Sequence, residues 1–176
     1  FTTTMLAPAG TLGVWTLLDL VRGKRPTAVG AATAIVVGLV AVTPAAGLVS
    51  PMSALLLGML AAPTSYFALI WRARTSFDDS LDVVAAHGVG GTVGALLTGV
   101  FAEKSWNGVT DGLLFGNPGQ VGVQAAAVLG AMIFSAVVTF VLLKAIGLVV
   151  PLRADDRDED MGLDLSQHGE EAYTRG

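Results

Sequence analysis

The sequence predicts an all-α protein: a polytopic bundle of transmembrane helices, five of them in this chain. Three observations lead there. Of the 176 residues, 53% are hydrophobic and 14% charged, against about 25% charged in an ordinary soluble domain. The charges fall in clusters between long uncharged stretches, the pattern of a chain that crosses a bilayer repeatedly. The 22 glycines follow no collagen-like period and read as points of close helix approach in lipid. A soluble bundle needs a polar stripe on each helix, and these segments have none. A β-barrel needs alternation over short strands, and these runs neither alternate nor stop early enough.

A helix needs about 20 apolar residues to cross the hydrocarbon layer. Five stretches qualify, at 1–21, 27–49, 50–71, 80–102 and 121–150. Pro8 is expected to kink the first. The second and third meet at a turn punctuated by Pro44, Gly47 and Pro51. Pro63 is unusual within the third. The fifth is long enough to require tilt, and Lys144 near its end can reach the headgroups. The chain opens on Phe1 within apolar sequence, without a signal-peptide pattern, and an N-terminal part of a longer protein is expected before it.

Basic residues set the orientation. Arg22, Lys24 and Arg25 follow the first span, Arg72 and Arg74 the third, and Arg153 and Arg157 the fifth; the opposite side carries Lys104. If all five segments cross, positive-inside places the basic loops and the segment 151–176 in the cytoplasm and Phe1 outside. The expected division is therefore a membrane region at 1–150 and a cytoplasmic tail at 151–176. Cysteine is absent, which excludes disulfides and thiolate metal sites. No phosphate loop, nucleophile–base pair or metal-ligand cluster points to an enzyme, a cofactor or a metal, and nothing points to nucleic acid.

The fourth span carries the chemistry. It reads DDSLDVVAAHGVGGTVGALLTGVF over 78–101. Asp78, Asp79 and Ser80 supply capping acceptors for its start. Asp82 is expected in the first turns, about 140° around the axis from His87, and so bonded to backbone amides or a neighbouring helix. His87, Gly91, Gly94 and Thr98 fall on one helical face, and Gly90 with Gly94 forms a GxxxG on an adjacent stripe. An ionisable group at bilayer depth is by default a hypothesis about a solute pathway. One reading has the imidazole bonded to a carbonyl across a helix interface. Another has it lining a pore, where a neutral ring offers one donor and one acceptor to a small polar solute. A metal is disfavoured, because the other histidine, His168, lies in the tail.

These residues resemble the signature of the ammonium transporter (Amt) family, roughly D-D-x-x-D-x-x-x-x-H-x-x-x-G followed by T-G-x-F. Two further blocks agree in order. RGKRPT over 22–27 with GLVAVTPAAG over 38–47 is similar to the family's R-G-K-P and G-L-V-x-x-T-P-x-x-G. MGLDLSQHGEEAY over 161–173 is similar to its G-L-D-x-x-x-H-G-E-x-A-Y. The resemblance implies the last five of eleven helices, a homotrimer in the cell membrane, and one narrow hydrophobic pore per subunit. His87 matches the second of two pore histidines. Asp82, Gly91, Gly94 and Thr98 would support the pore region, and Asp78 and Asp79 would sit at its cytoplasmic mouth. Ammonium would lose its proton near the entrance, and ammonia would pass the imidazole. Gly162, Asp164, Ser166, His168, Gly169 and Tyr173 would form a regulatory tail, with PII-type signalling proteins as partners at the cytoplasmic face. Some relatives carry a phosphorylatable threonine at the position of Ser166, where a phosphate would add nearly two negative charges. Departures from the family lie at Pro8, Pro63 and the Ala85–Ala86 pair, and they bear on pore width and rate. The alternatives are an ammonium sensor with an Amt-like body and an Rh-like ammonia or carbon dioxide channel; the tail block favours Amt over Rh, and no regulatory domain is expected after it, which favours transport.

Overall fold

The computed structural model describes residues 1–171, all helix, turn and loop. The helices are α1 (Thr2–Val21), α2 (Ala28–Val42), α3 (Pro51–Arg72), a π-helical turn (Val84–Val89) running into α4 (Gly90–Phe101), the short α5 (Lys104–Asn107), α6 (Gly119–Ile146) and α7 (Asp156–Met161), with a second π turn at Asp164–His168. Four of these segments are long and apolar enough to cross a membrane: Thr2–Val21, Pro51–Arg72, Val84–Phe101 and Gly119–Ile146.

The second expected span is shorter than its apolar stretch. Its helix has 15 residues, about 22 Å at 1.5 Å per residue, less than the roughly 30 Å hydrocarbon layer. Thr27 starts it by accepting the Gly30 N–H at 3.0 Å. Pro44, which has no N–H, follows its end, and the chain tightens into three-residue turns in which Ala45 N–H bonds the Val42 carbonyl at 2.8 Å and Leu48 N–H the Ala45 carbonyl at 2.7 Å. Ser50 then caps α3 by accepting the Ser53 N–H at 3.3 Å, with Pro51 at a first-turn position that needs no N–H.

Two compact units divide the chain, Phe1–Gly130 and Ala131–Gly176. In the first, small residues bring α1, α2 and α3 close together. A Cβ at Gly58 would overlap the Ala7 carbonyl, and one at Gly38 would overlap the Pro8 backbone. Pro8 is thus buried against glycine. Lipid offers no hydrophobic drive for helices to associate, so such close backbone approach is a main source of their packing energy. Two buried threonines are bonded: Thr11 Oγ1 donates to the Ala7 carbonyl of its own helix at 2.9 Å and to the Gly58 carbonyl of α3 at 3.0 Å, and Thr98 Oγ1 to the Gly94 carbonyl at 2.8 Å.

The connection after α4 is organised by Asn107. Its amide donates to the Leu48, Glu103 and Thr110 carbonyls at 3.2, 2.9 and 2.9 Å. Its carbonyl accepts the Val109 and Thr110 N–H groups at 2.7 and 2.9 Å. One side chain therefore ties this connection to the turn after α2. None of the residues of α6 is buried within the chain.

In the second unit, α7 is followed by Gly162 at φ 95° and the later π turn by Gly169 at φ 67°, both conformations that favour glycine. Arg153 pairs with Glu159 at 2.8 Å.

Candidate functional site

His87 sits in the wide turn Val84–Val89, on the wall of a groove of about 660 Å³. α2 lines the groove with Val36, Leu39 and Val40, while Gly91 and Ala95 extend it one and two turns beyond His87. The Thr43 hydroxyl at its end donates to its own helix, at 2.7 Å from the Leu39 carbonyl. Among the described residues the imidazole has no hydrogen-bond partner, and it stands exposed. The result is an apolar trough with one uncommitted ring that can donate and accept.

The expected single face divides in two. Gly91 lines the groove with His87, but Gly94 does not: a Cβ there would overlap the Ala41 carbonyl of α2. Thr98 is fully buried on the packing side. Gly91 and Gly94 are three residues apart in α4, about 60° around its axis, enough to leave one on the groove and turn the other toward α2. Gly90, Gly94 and Thr98 form the face that meets the bundle, and Gly94 sets how closely the two groove walls approach.

Asp82 is not in the first helical turns. It holds φ 56°, a left-handed conformation that stops the helix from beginning before it. Its carboxylate pairs with Arg72 at the end of α3. Asp79 is the capping residue, its two carboxylate oxygens accepting the Val83 and Val84 N–H groups at 2.9 Å each. Asp78 precedes it in the exposed connection. In the tail, Gly162 precedes the second π turn, Asp164 opens it, Ser166 and His168 lie in it and Gly169 ends it; Tyr173 falls outside the described residues.

Two groups were not singled out from the sequence. Asp19, within α1, accepts the Tyr66 hydroxyl at 2.8 Å, and Tyr66 stacks edge-on against Trp15 at 4.9 Å. The signal was available, a carboxylate inside an apolar span. Arg72 was read only as a charge marking one side of the bilayer. Among the described residues no three His, Cys, Asp or Glu side chains converge as a metal requires.

The Ammonium Transporter Family model matches residues 1–173. The chain belongs to that family. It is 38% identical over 175 residues to an ammonium transporter of Bacillus subtilis, covering 98% of this chain and 43% of the relative. It is 43% identical over 160 residues to an ammonium transporter of Aquifex aeolicus, covering 90% and 37%. Its structure is similar to that of Saccharomyces cerevisiae Mep2, with a TM-score of 0.80 and 32% identity over 89% of this chain and 37% of that one. The all-helical membrane architecture expected from the sequence agrees with these matches. The chain spans about two fifths of the length of these ammonium transporter relatives.

Proposed function

We propose that this chain supplies one wall of an ammonium-conducting pathway, with His87 as the group that meets the solute. The observation that carries the reading is the groove itself: apolar walls from α2 and α4 with an unpartnered imidazole between them. Ammonium is costly to strip of water in such surroundings, so it gives up its proton at the mouth and crosses the apolar part as ammonia. A neutral imidazole then replaces one or two of the hydrogen bonds that ammonia loses. The opposite wall comes from the part of the relatives' length that this chain does not span. Family membership supports a homotrimer in the cell membrane, and the basic loops support a cytoplasmic tail, where a PII-type protein is the regulatory partner. Gly91 shapes the groove; Gly94 and Thr98 support it from behind; Asp78 and Asp79 stand at its cytoplasmic mouth.

A sensor with the same body is the second reading, and an Rh-like gas channel the third. Methylammonium uptake separates them, measured in cells without carriers of their own that express the family-length protein carrying this sequence. Conduction predicts saturable uptake that ammonium competes with and potassium does not. Uptake no faster than in cells lacking the protein contradicts it and supports the sensor.

A further inference from the structure

The wide turn that carries His87 is held at both ends. Upstream, Asp79 accepts the Val83 and Val84 N–H groups, and left-handed Asp82 is tied to Arg72. Downstream, Gly94 lies against the Ala41 backbone, where even a methyl group would not fit. Between the anchors runs the π turn Val84–Val89, which closes i→i+5 and so carries one residue more than an α turn. Relaxing it to α register would rotate whichever end was free by one residue, about 100°. With both ends held, the surplus residue stays in the turn, and the direction of His87 follows from that.

We propose that Arg72 is a positioning residue for His87, acting through Asp82 to hold the upstream end of this turn so that the imidazole faces the groove. The proposal rests on the conducting role given to His87. Arg72 itself is not among the groove residues. Its pair with Asp82 is largely covered, the side chains being 21% and 27% exposed, whereas the tail pair Arg153–Glu159 is 69% and 38% exposed and correspondingly screened. Asp82 also faces a cavity of about 290 Å³ lined by Lys24 and Arg25. Those cations give Asp82 other partners when Arg72 is removed, so the expected consequence is a released turn and not a stranded charge.

The test uses Arg72→Gln, Arg72→Lys, His87→Ala and the Arg72→Gln/His87→Ala pair in the family-length protein, with methylammonium uptake expressed per membrane-inserted molecule. Arg72→Gln is expected to lower the maximal rate by about tenfold to a hundredfold, the usual consequence of misplacing a group that acts on the solute. Arg72→Lys, which keeps the charge, recovers most of it, and the pair is no slower than the poorer single variant because both changes act on one group. A purely structural role would reduce the number of inserted molecules and leave the rate of each unchanged. If Arg72→Gln does not reach the membrane, Asp82→Gly is read in the same way, since glycine keeps the left-handed turn while removing the tie. A normal rate per molecule in Arg72→Gln beside a defective His87→Ala, or losses that add in the pair, overturns the proposal and leaves the conducting role of His87 standing. A normal His87→Ala overturns both.

Discussion

Replacing His87 with alanine is expected to cut methylammonium uptake by about a hundredfold and to let potassium compete where it did not before. Among the described residues the imidazole lines a mostly apolar groove beside Gly91 and Ala95 without a hydrogen-bond partner. Without it a dehydrating solute finds no partner there, and each unmade hydrogen bond costs several kcal/mol in hydrocarbon. Selectivity falls with rate, because the same ring accepts from an N–H donor and offers nothing comparable to potassium. Uptake per inserted molecule, with and without excess potassium, reads both effects. A variant unchanged in both would remove His87 from the pathway.

Gly94→Val is expected to give the largest structural defect, a destabilisation of about 3 kcal/mol or more. The new side chain would meet the Ala41 carbonyl. That atom belongs to the backbone of α2, so relief requires α2 and α4 to separate, and the groove between them loses its shape. Gly91→Val is the matched control. A Cβ at Gly91 meets only Val40 Cγ1 at 3.6 Å, an ordinary contact, so the helices stay in place and only the trough narrows. Thermal unfolding in detergent is expected to show a large drop for Gly94→Val and little change for Gly91→Val, while uptake falls in both. Equal stability of the two variants would mean that Gly94 is not the spacer between the walls.

The sequence reading located four membrane-length helices within a few residues, because length and lack of charge decide them and little competes. It ran α2 on to 49, since hydropathy does not register that Pro44 and the three-residue turns end the helix at Val42. It placed Asp82 in a helix on the strength of its acidic neighbours; the left-handed backbone there and the tie to Arg72, ten residues earlier in the chain, carry no local signal. The π turn was not legible, and it shifts the phase of His87 relative to α4. Helical phase computed at a constant 100° per residue fails wherever an extra residue is held in the ladder. Asn107 was missed for a similar reason: its five hydrogen bonds join segments separated by up to 59 positions, and an isolated asparagine in a loop carries no such signal. The Asp79 cap was legible because its chemistry is local, an acceptor ahead of a helix, and His87 stood out as an ionisable group in an apolar span.

Solute is expected to move along the face bearing His87, Gly91 and Ala95. The chain has no cysteine, so a single thiol can mark that face in a cysteine-free, family-length background. With Ala95→Cys, the small uncharged reagent methyl methanethiosulfonate is expected to stop methylammonium uptake, and excess ammonium is expected to slow the modification. Ala95→Cys that reacts fully while uptake continues at its original rate would contradict the claim.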